Sequence, residues 1–339
     1  MMKFIGESAR EAELNRDRRL PSNEYHVGVR GSEQHRGYGR PTPFVKWAGG
    51  KTQLLRQYAG LYPSSFGTYY EPFLGGGAVF FDLYSKGRIK RATLSDRNEN
   101  LMNLWATIKT DLRRFISELE KLQKDVNDKS DYYQHRKEFN SASLSHSFLT
   151  RPDFRKAALL VYLNKTCYNG LYRVNAQGKF NVPFGKYRGP RLFDRSNLMS
   201  VHRALNDEGK VELRCEDFES CVEDAKRGDF IYFDPPYQPL STTSSFTGYT
   251  VGGFGIEEQK RLSRVFKRLD ALGCHVMLSN SHSEEVLRPL YRRYFRNKIV
   301  VKAPRSISCV GSKRGAIQEL VIVNYQPPIV RGRRLAEQT

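Results

Sequence analysis

Two periodicities alternate along the central part of the chain. Residues 68–71 (Thr-Tyr-Tyr-Glu) form a short β-prone run that breaks into Gly75, Gly76 and Gly77. Residues 92–95 form a second run, ending at Asp96. Leu101, Leu104, Trp105, Ile108 and Leu112 then recur at helical spacing, which predicts one amphipathic helix. Phe230 to Phe233 are continuously apolar, as in a strand covered on both faces. Leu262, Val265, Phe266, Leu269 and Leu272 form another helical stripe, with Gly273 placed to end it. Residues 275–279 and 319–325 read as further strands. This alternation predicts an α/β sheet.

The middle of the chain reads differently. Residues 110–165 look helical, with a Lys/Asp/Ser-rich break at 124–131. Residues 166–191 are rich in Gly, Asn, Tyr and Arg and read as a long loop or hairpin. The predicted organisation is therefore a flexible extension (1–40), a sheet domain (41–98 plus 194–326), an inserted module (99–193) and a basic tail (327–339).

Composition adds one large fact. There are 56 basic and 36 acidic residues among 339, a net charge of +20. Such a field favours polyanions, nucleic acid first and an anionic membrane second. The longest apolar run, residues 157–163, is far shorter than the ~20 residues a spanning helix needs. Glu7, Arg10 and Glu11 stand where a signal peptide needs an apolar stretch. An intracellular, cytoplasmic protein without a membrane span is expected. Cys167, Cys215, Cys221, Cys274 and Cys309 are scattered, with no Cys-x-x-Cys and no zinc-ligand spacing. A reducing compartment and no metal are expected.

Three segments carry candidate chemistry. The first joins the glycine turn after residues 68–71 to Asp96 at the end of the next strand. Nucleotide-binding α/β folds place a ribose-binding acid there; a plain glycine turn with a solvated Asp fits equally well. The second is Lys46-Trp47-Ala48-Gly49-Gly50-Lys51-Thr52. A phosphate-binding P-loop needs a glycine where Val45 stands, so that reading is rejected. The third, Asp234-Pro235-Pro236-Tyr237, directly follows the apolar strand, where open sheets bind ligands. Asp234 and the Pro235 carbonyl can accept the two hydrogens of an exocyclic amine, and Tyr237 can stack on its ring.

These motifs together resemble the Dam-type DNA adenine-N6 methyltransferases, the D12 class that methylates GATC. The resemblance runs from about residue 43 to residue 325. It rests on KWAGGK at 46–51, EPFLGGGAVF at 71–80, LSDRN at 94–98, LNKTCYNGLYRVN at 163–175, FNVPFGKY at 180–187, DPPY at 234–237 and PRSISCVGSKR at 304–314.

The resemblance implies a Rossmann-like fold that binds S-adenosyl-L-methionine, with an inserted target-recognition domain. Trp47, Lys51, Phe73, Gly75, Gly77, Asp96, Asp217, Phe218 and Asp234 would contact the cofactor. Asp234, Pro235, Pro236 and Tyr237 would hold a target adenine flipped out of duplex DNA. Transfer would be direct and in line. No cysteine follows a proline, as a cytosine-C5 mechanism requires. Lys46, Tyr168, Asn169, Leu171, Arg173, Asn175, Pro183 and Tyr187 would read the site in the major groove. Arg305, Ser306 and Ser308 would lie near the flipped strand, and residues 241–249 would form a loop that orders on DNA. Tyr172 departs from the pattern as a bulky residue in the reading loop, expected to add a contact or alter flanking preference. A functional monomer associated with the nucleoid is expected. The alternatives are a different DNA target, an RNA substrate, or a basic DNA-binding protein without activity.

The charge then acquires an address. Residues 151–191 hold nine basic residues and one acidic, and residues 286–334 hold twelve and one. These two stretches are expected to grip duplex phosphates in a salt-dependent manner.

Overall fold

A computed structural model of the chain describes residues 39–207, 210–236, 254–281, 284–303 and 317–328. The predicted extension therefore lies almost wholly outside the described residues, as do Tyr237, residues 241–249, Arg305, Ser306, Ser308 and nearly all of the basic tail. In chain order the elements are α1 (Leu55–Tyr58), β1 (Thr68–Glu71), α2 (Ala78–Ser85), β2 (Arg91–Ser95), α3 (Glu99–Thr110), α4 (Leu112–Gln123), α5 (Lys129–Ser141), α6 (Phe154–Thr166), α7 (Arg195–Asn206), β3 (Val211–Arg214), α8 (Phe218–Cys221), β4 (Phe230–Phe233), α9 (Ile256–Leu272), β5 (His275–Ser281), α10 (Glu284–Tyr291), β6 (Lys298–Ala303) and β7 (Ile317–Val323).

The strands form one sheet in the order β3-β2-β1-β4-β5-β7-β6. The first five are parallel, and β7 runs antiparallel between β5 and β6. This is the Rossmann-like α/β fold that the alternation predicts. The chain builds outward from β1 to β3, then crosses back to lay β4 on the other side of β1. The C-terminal ends of β1 and β4 therefore flank the switch point of the sheet, where ligands bind in open α/β folds.

Both faces of the sheet are covered. On one, Tyr69, Leu94, Phe230 and Met277 share a buried cluster with Trp105, Leu119, Leu160 and Tyr162 from the helices. On the other, Phe233, Leu278 and Leu320 pack against Leu262, Phe266 and Tyr291. Helix α6 is buried nearly all round, as its run Ala-Ala-Leu-Leu-Val-Tyr-Leu dictates. It packs on α3, α4 and α5.

Capping explains where the helices begin. Asn98, Asp111, Asp128, Asp153 and Asp194 each accept a backbone N–H in the first turn of α3, α4, α5, α6 and α7. Asp111 also corrects the predicted stripe. It adopts an extended backbone that ends α3, so Leu112 opens α4 instead of extending α3. Helix α9 ends where expected, with Gly273 in the left-handed region at φ 87°.

Candidate active site

The glycine turn is shaped by what lies behind it. Gly77 sits at φ 68° and starts α2. A Cβ there would lie 2.6 Å from Cη2 of Trp105, which is fully buried. Gly75, at φ 48°, passes so close to Trp47 that a Cβ would stand 2.9 Å from its Cδ1. The Trp105 indole N–H donates to the Gly75 carbonyl at 3.2 Å. Asp96, at the end of β2, accepts from the backbone N–H of Gly75 (3.0 Å) and of Asn98 (2.9 Å). Burial pushes the Asp96 carboxyl upward, while these two donors pull it back.

Turn and strand ends enclose a cavity of about 510 Å³, an ordinary size for a small-molecule site. Lys46, Trp47, Lys51, Phe73, Gly75, Gly77, Asp96, Phe218, Asp234, Pro235 and Pro236 all line it, so the structure brings these predicted residues together. Asp217 is not on this wall. Its carboxylate accepts the Glu219 N–H at the start of α8 and pairs with Arg261. Phe73 stacks on Phe218 with centroids 5.5 Å apart. Phe254, which carried no signal in the sequence, meets Phe73 edge-on at 5.7 Å and completes an aromatic wall.

The charged floor is compact. The Lys51 ammonium is buried and donates to the Gly49 carbonyl at 2.7 Å. It pairs with Asp234 at 2.8 Å and stands 3.8 Å from Glu319 of β7. Glu319 is a second residue that the sequence reading missed. Burial, and then Glu319, push the Asp234 carboxyl up to about 6 against the opposing pull of Lys51. Burial pushes Glu71 to about 8, with the Tyr69 hydroxyl donating to it at 2.8 Å. None of Cys167, Cys215, Cys221 and Cys274 lines the cavity, and burial raises all four thiols.

Beside the cavity, residues 166–185 fold back on themselves. Cys167 bridges Phe184 and Val174 bridges Phe180 in antiparallel pairing. The buried Asn164 fixes the base of this hairpin. It accepts from the Lys46 N–H at 2.9 Å and donates to the Lys46 and Gly170 carbonyls at 2.8 and 3.0 Å. From α5, Asn140 clamps both backbone groups of Phe180. Tyr168 and Tyr187 are 51% and 39% exposed, a large apolar area for solvent to meet. Lys46 and Pro183 are also exposed, Leu171 is half-buried against the core, and Asn169 holds a left-handed φ of 57°.

One expectation for this hairpin changes, and two of its residues gain a structural role. Tyr172 is not a reading residue: it is 5% exposed and stacks on Trp47 with centroids 5.0 Å apart, behind the cavity wall. Arg173, expected to read the site, also braces the hairpin: it donates from Nε to Asn181 Oδ1 on the return arm at 2.8 Å. Asn175 shapes the turn, its Oδ1 accepting from the N–H of Gln177 and Lys179. The basic stretch 151–191 is likewise only partly available to phosphates. Arg155 pairs with Glu138 at 2.7 Å, and the buried Lys156 donates to the Phe139 and Ala142 carbonyls.

No helix among the described residues is long and apolar enough to cross a membrane. Also among them, no cluster of three or more His, Cys, Asp or Glu is placed to hold a metal ion.

A mostly parallel sheet of this order, with β7 antiparallel near one edge and a cavity at its switch point, is the Rossmann-like methyltransferase architecture. The match of residues 47–307 to the model of the D12 class N6 adenine-specific DNA methyltransferases narrows the class, and the chain belongs to that family. It is 42% identical over 295 residues to the type II methyltransferase M.MjaIII of Methanocaldococcus jannaschii, an alignment covering 84% of this chain and 99% of that protein. It is 39% identical over 283 residues to the type II methyltransferase M1.LlaDCHI of Lactococcus lactis, covering 84% and 95%. The DNA adenine methylase of Salmonella typhi is 33% identical over 292 residues, covering 86% and 98%.

Proposed function

We propose that this chain transfers a methyl group from S-adenosyl-L-methionine to N6 of adenine in duplex DNA, at the sequence GATC, with the adenine flipped out of the helix. The observation that carries the reading is the Lys51–Asp234 pair on the floor of the switch-point cavity, at 2.8 Å.

The residues present fit the cofactor. Asp96 holds a carboxylate at the end of β2 for a ribose diol, and Gly75 and Gly77 bring backbone close without a Cβ. Phe73, Phe218 and Phe254 offer flat faces for an adenine. Two carboxylates against one ammonium give the floor the negative sign that a cationic methyl donor requires. When bound, the cofactor supplies an electrophilic methyl on sulfur.

The protein's own work is positional. The N6 lone pair delocalises into the purine ring and is a poor nucleophile. Asp234 and the Pro235 carbonyl, accepting its two hydrogens, draw the nitrogen toward sp³ and aim its lone pair into the cavity. Proline at 235 and 236 restricts the backbone that presents these acceptors. Tyr237, outside the described residues, takes the stacking role. An amine inside a duplex cannot reach a buried carboxylate, so the base must leave the stack.

The hairpin supplies the sequence choice. Lys46, Tyr168, Asn169, Leu171, Arg173 and Tyr187 face the groove, and Arg305, Ser306 and Ser308 contact the strand near the flipped base. Pro183 and Asn175 shape the reading arm. The exposed Tyr168 and Tyr187 support this surface as the DNA side. The chain acts as a monomer in the cytoplasm, on nucleoid DNA.

The test is transfer of labelled methyl to duplexes carrying GATC and to each single-base variant. Equal transfer to all of them would refute the GATC assignment, and no transfer to any would refute the activity. Arg173→Ala is expected to lower discrimination at one base pair by about 1–3 kcal/mol. Asn181→Ala is the control, since it loosens the same hydrogen bond but keeps the guanidinium. If both variants relax equally, Arg173 only braces the hairpin.

A further inference from the structure

Residues 286–334 contain twelve basic side chains and one acidic one, Glu319. That single carboxylate is buried in the sheet. It lies 3.8 Å from the Lys51 ammonium, which also donates to the Gly49 carbonyl at 2.7 Å. Its Oε2 accepts from Ser279 of β5 at 3.1 Å and from Tyr58 of α1 at 3.3 Å, and these two hydroxyls meet at 2.7 Å. Two separate elements thus fix one oxygen beside the active-site lysine.

We infer that Glu319 is a positioning residue for methyl transfer: it shares the Lys51 ammonium and so leaves Asp234 with acceptor strength for the amine of the target adenine. The inference rests on the reading of Asp234 as the amine acceptor.

Two carboxylates compete for one ammonium. Lys51 sits 2.8 Å from Asp234. A lone ammonium at that distance holds one carboxylate oxygen and neutralises its charge, which weakens it toward a second donor. A second carboxylate next to the same ammonium divides that hold. Packing alone would not select a charged residue here, because burying a carboxylate is costly and Gln would satisfy the same two hydroxyls. The groups facing Asp234 are Lys51 from the 46–51 segment, Glu319 from β7, Tyr58 from α1, and Tyr69 with Glu71 from β1. Of these, Lys51 favours the ionised carboxylate and Glu319 opposes it.

The test is single-turnover methyl transfer to a GATC duplex between about pH 5 and pH 9. Glu319→Gln is expected to lower the plateau rate about tenfold while the KM for DNA changes by less than about threefold. Its acid limb should move to lower pH, since Asp234 loses a neighbouring negative charge. Glu319→Asp keeps that charge and should keep the wild-type limb. A Glu319→Gln profile superimposable on wild type overturns the proposal, as does a Glu319→Asp limb displaced as far as that of Glu319→Gln. Should Glu319→Gln not fold, Ser279→Ala decides. It strips a hydrogen bond from the carboxylate and is expected to move the limb in the same direction by less; an unmoved limb overturns the proposal. Asp234→Ala, run alongside, separates the two readings. If it still transfers methyl, the assignment of Asp234 falls and this inference with it. If it is inactive while Glu319→Gln is unchanged, only the role of Glu319 falls.

Discussion

Asp234→Ala is expected to reduce methyl transfer by about three orders of magnitude or more, with duplex binding largely retained. Its carboxylate directly follows β4 at the switch point and, on the proposed reading, is one of the two acceptors that the N6 amine meets. Its removal leaves an amine with a delocalised lone pair and only the Pro235 carbonyl to localise it. The hairpin proposed to face DNA is a different surface, so affinity for the duplex should hold. Single-turnover transfer of labelled methyl measures the first effect and a mobility-shift titration the second. A variant rate within about tenfold of wild type would sink the assignment. The same residue sets a pH dependence. Its carboxyl is pushed up to about 6, and only the ionised form accepts both the Lys51 ammonium and an amine hydrogen. Transfer should therefore rise through about pH 6 and fall about tenfold per unit below it.

Gly77→Ala is expected to cost about 2–5 kcal/mol of stability, from about 1–2 for a left-handed alanine and about 1–3 for overpacking. The backbone there is at φ 68°, and the new methyl would meet Trp105 at 2.6 Å. That ring has little room to yield. Phe44 meets it at 5.1 Å and Phe81 stacks on it at 5.6 Å. Because Trp105 also holds the Gly75 carbonyl, the turn should shift and cofactor affinity should fall. Gly87→Ala separates the two contributions. Its φ is 65°, yet nothing stands within 4 Å of the added Cβ. Denaturant unfolding of both variants should show Gly77→Ala as the weaker by the overpacking cost alone. Equal midpoints would mean that Trp105 moves aside freely.

Much of this architecture was legible before any coordinates. β1, β2, β4, β5 and β7 carry enough aromatic and branched side chains to declare themselves, and Gly273 marks the end of α9. β3 and β6 do not. β3 alternates Val211 and Leu213 with Glu212 and Arg214 at an open edge, too short a run to distinguish from a loop. β6 is the opposite edge, opening at Lys298 and carrying Lys302 next to its last residue.

The site divides in the same way. Asp96 and Asp234 announce themselves by ending strands, and Lys51 by its glycines. Glu319 lies inside an apolar run and reads only as a strand residue. Its meaning arises when β7 enters the sheet antiparallel beside β5 and delivers it to Lys51, from the far end of the chain. Phe254 precedes α9 without any pattern. Tyr172 was misread, and the bracing contact of Arg173 missed, because hairpin residues were assigned to solvent by default. Their partners, Asn181 and Trp47, become visible only when the arms close.

The stack of Tyr172 on Trp47 bears on how such enzymes are altered. By its chain connectivity alone the hairpin is a cassette, exchangeable among relatives to install a new target sequence. Yet one of its rings is the backing of a cavity-lining tryptophan, and its hydroxyl accepts from Asn100 of α3. A graft ending at the arms would exchange that backing along with the reading surface. Residues 47, 100 and 172 therefore form a unit of inheritance, and a transplanted hairpin keeps a working donor site only when they travel together.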